Sequence, residues 1–594
     1  MLARSLAALS LVTPVFAQFG SPVTGQCDRT NYDASIAVGS TYAVHTVNSE
    51  LVITLKLGAF VSRQKLDFDT ITNNNGFFGQ GATRIVDPRV LYNQYTERFT
   101  ITGLQIDTVN VPAGNKGIYF AYSASGDPTG SWQRTRTTAP VVYQGANYDV
   151  DFSGLGISQS HTIHTSLLFP AGTTTTPFGH LYRHVPTSTL ASTPTVTDIV
   201  LPGRTAVQFA APAHSFGAAP WLHVVGVSSS GPTSSIRIGV IRPGFVPALS
   251  EWNVTVPAFT LPPQLAPQPN GISLETDDGR IQNAVYRDGF LYACHSVIAN
   301  NARVVRWYQF QMNDFPTGSA PTLVQSGNVD ANVVPGANAT PFYPAIAVDA
   351  FGGIGMVFGA SSSARPPCMY SCGRQFDSPI GQMSMPTQLT WFDASFDQQT
   401  RGPGVARWGD YSGICLDPVN PWVFFGSGGM ARNGPTGSNG CPINPFFTTH
   451  WETWFTSFRS TSNVVNPYVE NYGTGLMGTL GVPGIGTADA LPAIGTTIWT
   501  TIGNSFPGSA AGCLMMAAAP GTGASLFGGQ LWVDLASAVQ VPFTHSGAET
   551  SMPLAIPANP WMIGQSLYLQ AYQADSGASQ GISFTRGLRL TFGL

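Results

Sequence analysis

Glycine and proline set the tightest limit on what this chain can fold into. They supply 65 and 45 of its 594 residues, and both disfavour helix interiors. Lys, Glu and Arg, which favour helices, are scarce: charged residues make up 10% of the chain, against about 25% in an ordinary soluble domain. Hydrophobic residues at 43% and aromatic residues at 11% supply a sizeable core, so the chain is not of the disordered type. The expected class is all-β with many turns.

The formal net charge is −4, and no basic run exceeds two residues. A nucleic-acid surface needs clustered Lys and Arg to displace counterions, so nucleic acid is excluded as a partner. Nothing after the first twenty residues resembles a transmembrane helix. Met1–Ala17 reads as a signal peptide. Arg4 gives the positive start, Leu6–Phe16 the apolar stretch and Val15-Phe16-Ala17 the cleavage site. The expected address is therefore secreted or cell-surface. Seven cysteines occur, at 27, 294, 368, 372, 415, 441 and 513. In an exported chain some are expected to pair: Cys368 with Cys372, and Cys415 with Cys441, with at least one left over. Their spacing does not suit zinc.

Short strand-like runs separated by turns extend from about Asn31 to Phe458. Ala284–Arg287 and Phe290–His295 flank Asp288-Gly289, a hairpin signal because both turn residues take φ > 0. Similar punctuation is read at Asp87-Pro88, Asp127-Pro128, Asp349–Gly352 and Asp417-Pro418. The spacing predicts a β-propeller over 18–462, of six to eight blades with seven favoured; a pair of β-sandwiches is the competing arrangement. Residues 463–471 read as a linker. The nearly uncharged stretch 472–594 reads as a small β-sandwich.

Several residues are candidates for chemistry. Arg407-Trp408-Gly409-Asp410-Tyr411-Ser412 reads as one strand, which places Arg407 and Tyr411 on one face, where they could hold a carboxylate or a sugar. The alternative is that Arg407 pairs with a buried Asp and the aromatics pack between blades. Arg89 and Arg280, each beside an acid near a turn, join Arg407 as ligand-binding candidates. If the protein is an enzyme, Asp87, Asp151, Asp410 and Tyr411 are the catalytic candidates. Two carboxylates in one pocket would be needed, ~5–5.5 Å apart for a retaining glycosidase or ~6.5–9.5 Å for an inverting one. Asp67, Asp69, Asn73 and Asn75 put oxygen ligands in one loop, so calcium is a candidate there or along a propeller axis. Nucleophile-elbow, zinc-protease and Walker motifs are absent. Gly473–Gly478 fits G-x-G-x-x-G but is followed by Gly and Pro rather than a helix. Asn253 and Asn338 head glycosylation sequons.

Ser125-Gly126-Asp127-Pro128-Thr129-Gly130-Ser131-Trp132 resembles the Asp-box of sialidase-type propellers, with the Gly shifted by one position. That resemblance implies a structural turn rather than an active site. Asp87–Tyr92, Asp127–Trp132, Ala284–Gly289, Arg306-Trp307-Tyr308, Arg407–Ser412 and His450–Trp454 together resemble a group of exported bacterial β-propeller proteins. The tail from Tyr472 to Leu594 is similar to a C-terminal domain of planctomycete-type exported proteins, with Leu476 where such tails usually have Cys. The resemblance implies fold and address and carries no catalytic residues. The expected function is binding of glycan or another extracellular polymer. A propeller glycoside hydrolase or lyase is the alternative, and a structural envelope or matrix component the third reading. The oligomeric state is left open.

Overall fold

The computed structural model describes residues 33–593 apart from short internal segments, the longest being 68–75, 106–116, 332–338, 434–448 and 460–466. It divides into two compact units, Met1–Thr461 and Ser462–Leu594.

The first unit is a seven-bladed β-propeller of antiparallel blades. The strands of blade 1 are Ser35–Val38, Tyr42–Val47, Glu50–Leu55 and Phe60–Lys65. Blade 2 is Ile85–Asn93, Arg98–Gln105, Gly117–Ser123 and Trp132–Thr138. Blade 3 is Ala146–Ile157, His161–Pro170, Gly179–Pro186 and Thr197–Pro202. Blade 4 is Ala211–Phe216, Leu222–Val227, Thr233–Arg242 and Ala248–Phe259. Blade 5 is Ala284–Arg287, Phe290–Ala299, Ala302–Gln311 and Thr322–Asp330. Blade 6 is Thr340–Val348, Ile354–Ser362, Arg365–Arg374 and Thr387–Gln388. Blade 7 is Gly413–Leu416, Val423–Asn433 and Thr449–Arg459. The first strand of each blade lies against the first strand of the next, and Gly413–Leu416 lies against Ser35–Val38. The ring is therefore closed, which excludes the pair of sandwiches.

Burial falls from the axis outward. Thr340–Val348 and Ile354–Ser362 are buried throughout, as strands covered on both faces must be. The outer Phe60–Lys65 is mostly exposed and polar. Apolar side chains fill the space between neighbouring blades all around the ring. The Asp288-Gly289 hairpin forms as read, with φ of 49° and 84°. At Asp349 and Asp417 the carboxylate accepts backbone N–H bonds from Phe351 and Val419, both at 2.8 Å. The Asp127 turn joins the third and fourth strands of blade 2. Asp127 Oδ1 accepts from Thr129 N at 2.9 Å, and Trp132 Nε1 donates to the Pro128 carbonyl at 2.8 Å. Asp87-Pro88 departs from the reading as a turn: it sits inside the strand Ile85–Asn93, at a bulge between Val86 and Arg89.

Among the described residues blade 7 has three strands, and no strand is shared between the last blade and the first. The seam is held by side chains. Ile36, Val38, Ala43 and Val52 of blade 1 pack with Cys415, Phe425 and Phe455 of blade 7. Lys56 Nζ pairs with Asp417 at 2.6 Å, and His45 bonds Ser427.

The second unit is a β-sandwich. Its larger sheet contains Tyr468–Tyr472, Gly587–Thr591, Ser566–Ala574, Ala510–Ala517 and Val539–His545, and Ile582–Phe584 pairs with Ser566–Ala574. Its smaller sheet orders Ile485–Thr487, Thr497–Gly503 and Glu549–Ala555. No helix among the described residues is long and apolar enough to cross a membrane.

The expected Cys368–Cys372 disulfide does not form. Cys368 and Cys372 lie on one strand, Arg365–Arg374. Four residues of extended strand separate their Cα atoms by about 13 Å, beyond the ~7 Å limit for a bridge. Cys415 is free and buried in the seam between blades 7 and 1. Its expected partner Cys441 lies outside the described residues, as do the signal peptide, Cys27, Asp69, Asn73, Asn75 and Asn338. Alkylation after unfolding without reductant should label Cys294, Cys368, Cys372, Cys415 and Cys513 in mass spectrometry; a protected Cys368 or Cys372 would contradict this. Phe455→Ala, which empties the centre of the seam, should cost about 3–5 kcal/mol in denaturant unfolding of the propeller. A loss under 1 kcal/mol would mean that the seam does not hold the ring.

Candidate functional site

Antiparallel strands bring the start of each first strand, the turn between the second and third, and the end of the fourth to one end of the ring. That end gathers most of the candidate residues. Asp33 precedes the first strand of blade 1, Asp87 and Arg89 lie early in that of blade 2, and Asp410 and Tyr411 precede that of blade 7. The connections between blades 4 and 5 and between blades 6 and 7 cover this end with a small sheet of Leu265–Ala266, Ser273–Glu275 and Val405–Arg407. Beneath it, Ala266, Leu274, Phe396, Ala406 and Trp408 pack with Ala34, Tyr343 and Trp451.

One carboxylate oxygen from each of Asp33, Asp87 and Asp410 lies within 4.8 Å of the other two. The three residues are 0%, 6% and 7% exposed. Asp33 accepts a bond from the Asp410 backbone N–H at 2.6 Å and another from Asn48 Nδ2. The other end of the same amide accepts from the Asp87 N–H at 2.8 Å. Arg407 grips both oxygens of Asp410 and reaches Glu275 at 3.4 Å. Arg401 holds the same Glu275 oxygen at 2.7 Å. Arg89 donates through Nε to the Ser153 carbonyl at 3.0 Å, and its guanidinium lies 3.2 Å over the centre of the Tyr411 ring. Tyr411 is fully buried and donates to the Pro88 carbonyl at 2.9 Å.

The backbone bends sharply to allow this. Asp33, Asp87, Phe152 and Tyr343 have φ of 34°, 51°, 59° and 51°, and the last three sit at bulges in first strands. Non-glycine residues hold such angles only where surrounding contacts over-determine them.

The strand assumed for 407–412 is not formed. The pairing ends at Arg407 and resumes at Gly413, so Arg407 and Tyr411 share no strand face. Arg407 meets a carboxylate of the chain itself, and Trp408 and Tyr411 are interior. The Arg280 guanidinium lies 4.2 Å over the ring of Phe152 in blade 3. Asp151 is half-buried and its charge bears on Asp87. The trio lies beneath the small sheet that covers this end. It suits calcium poorly: Arg407 already grips both oxygens of Asp410, and an amide N–H occupies Asp33, whereas calcium takes about 6–8 oxygens. Sequence reasoning found Asp87, Arg89, Arg407, Asp410 and Tyr411 but missed Asp33, Asn48 and Glu275, which no local pattern distinguishes.

The same end of the ring carries an open cleft of about 550 Å³ lined by Leu265, Pro267, Ser273, Asn301, Ala302, Arg303 and Ala339. Asn300 and Asn301 form the turn between the second and third strands of blade 5, with φ of 50° and 62°. Arg303 is anchored on Thr340.

No family model matches the chain, and no curated protein is similar to it. Among solved structures it is similar to an exo-β-1,3-galactanase from Phanerochaete chrysosporium, at 11% identity over 97% of this chain and 100% of that one, with a TM-score of 0.26. It is similar to a Trypanosoma rangeli sialidase at 8% identity over 97% of both chains, TM-score 0.30. It is also similar to the Vanderwaltozyma polyspora Nup133 β-propeller domain, at 8% identity over 72% and 93%, TM-score 0.35. Likeness at this level bears on no activity, and the seven-bladed ring rests on the chain's own strand pairing.

Burial sets the charge states. Desolvation, then the neighbouring Asp410, pushes Asp33 up to about 8 from 3.8. Desolvation and Asp151 push Asp87 well up too. Between pH 4 and 8 the folded protein thus holds a proton on Asp33 that the unfolded chain has lost, so stability falls as pH rises through that window. Six histidines, five of them buried (45, 164, 180, 223 and 295) and His214 half-buried, are pushed the other way, from 6.5 to about 3, each chiefly by desolvation. Below pH 6.5 the unfolded chain binds protons that these residues refuse, so stability falls as pH drops. The melting temperature should therefore peak near pH 6.5 and decline on both sides. In Asp33→Asn the alkaline decline should be shallower. A melting temperature that climbs steadily to pH 9 would contradict the buried-acid assignment.

Proposed function

We propose that this protein binds glycan or another extracellular polymer, and that it does so at the Ser273–Asn301–Arg303 cleft. The observation that carries this reading is the cleft itself. Its volume falls in the ~300–1,000 Å³ range of ligand sites, and it combines apolar walls with a few polar groups. The Asn301 amide, the Ser273 hydroxyl and the Arg303 guanidinium offer donors to a polyhydroxylated chain, and Leu265 and Pro267 offer apolar surface to its C–H faces. A secreted or cell-surface location, and kinship with the exported bacterial propellers, belong to this proposal. A second reading, a glycoside hydrolase, is favoured by one observation: three clustered carboxylates, two of them pushed toward the protonated form, are a stock of acid catalysts if the cap opens.

The test is retention of the protein on a panel of microbial and algal polysaccharides, with released oligosaccharide read in parallel. Asn301→Gly keeps the left-handed turn, because glycine takes φ > 0 freely, and removes the amide. That variant and Arg303→Ala should each weaken binding about tenfold, or ~1.4 kcal/mol. Unchanged binding in both would refute the cleft. Released oligosaccharide that disappears in Asp410→Asn would install the hydrolase reading instead.

A further inference from the structure

The β-sandwich unit carries a face that the propeller reading does not use. In the strand Thr497–Gly503, Ile498, Thr500 and Ile502 point into the core and are at most 1% exposed. Strand alternation turns Thr497, Trp499 and Thr501 outward, and Trp499 is 50% exposed. It lies on the middle strand of the smaller sheet. Pro553 is directly opposite it, Ala555 is opposite Thr497, and Ser551 is opposite Thr501. On the other edge Gly486 is opposite Thr501. The indole is thus surrounded by small side chains. Trp132, Trp307, Trp408, Trp422 and Trp532 each meet another ring or a guanidinium, whereas Trp499 is in none of the ring or cation contacts of the described residues.

We propose that this face is a second binding site, a platform on which Trp499 stacks against the sugar rings of a neutral polysaccharide. The inference rests on the reading of the protein as a polymer binder but places a separate site in the other unit. The charge pattern selects the occupant. Among the described residues of the outward face the one charged group is Glu549, at the far end opposite Gly503. A sulfated, phosphorylated or uronic polymer would need cations that this face does not offer. The area argues against a protein partner. Five residues along the strand and three strands across cover roughly 200 Å², far below the ~800 Å² per partner of a stable protein interface. A pyranose ring has an apolar C–H face and a hydroxyl rim. The indole meets the first, and the hydroxyls of Thr497, Thr501 and Ser551 meet the second.

The experiment uses the full chain and three insoluble neutral polymers, cellulose, β-1,3-glucan and chitin, with alginate as the charged control. Wild type, Trp499→Ala, Trp499→Phe and Asn301→Gly are compared, and melting curves verify that each is folded. Retention on at least one neutral polymer is expected, reduced about tenfold in Trp499→Ala and partly restored in Trp499→Phe, with little retention on alginate. Loss in Asn301→Gly without loss in Trp499→Ala would overturn the platform and leave the propeller cleft standing. Loss in Trp499→Ala alone would support the platform and remove the cleft. Retention on none of the neutral polymers would overturn the platform. So would a wild-type dimer in light scattering that becomes monomeric in Trp499→Ala, because the occupant would then be a second copy.

Discussion

The closing seam between blades 7 and 1 governs this propeller. A ring of sheets has as many interfaces as blades, and six of the seven join blades that follow each other in the chain. The seventh must bring together segments nearly four hundred residues apart, as in the His45–Ser427 bond. Ordering so long a loop costs entropy that grows only slowly with length, but side-chain contacts alone must offset it, since the described residues share no strand across the seam. The apolar set around Phe455 supplies the bulk of that interaction.

The polar end of the seam explains the state of the candidate site. Asp33 takes the Asp410 N–H from the blade 7 side and Asn48 from blade 1, and Asn48 in turn takes the Asp87 N–H of blade 2. One carboxylate and one amide thereby tie three blades at the axis. The cost is a buried acid cluster, and its neutralisation requires Arg407 on Asp410 and Arg89 alongside. Removing one partner of such a group strands a charge in the interior, so these residues are constrained together. The residues that look most like a ligand clamp in the sequence are therefore occupied with each other.

Local chemistry was legible in the sequence; convergence was not. Asp288-Gly289, Asp349 and Asp127-Pro128 form the turns they suggest, because the determinants lie within a few residues of one another. Arg407–Ser412 misled because strand periodicity was extended past the point where the backbone leaves the sheet to bring Asp410 to Asp33. Asp87-Pro88 misled because a left-handed residue and a proline are compatible with a bulge as well as with a turn. Cys368 and Cys372 are close in sequence, but an extended strand holds them apart. Asp33 was invisible because its role is defined by groups up to 377 residues away.

Scarcity of charge connects these features. A chain with few ionisable groups has little surface electrostatics with which to choose partners, and several of those it has are folded into the axis of the ring. Part of what remains outward is neutral hydrogen-bonding surface and isolated aromatic area, as at Asn301 and Trp499. Such surfaces discriminate by shape and hydroxyl pattern rather than by sign. Recognition of this kind is less sensitive to salt than ion pairing, and it suits a long uncharged polymer that offers many weak, repeated contacts.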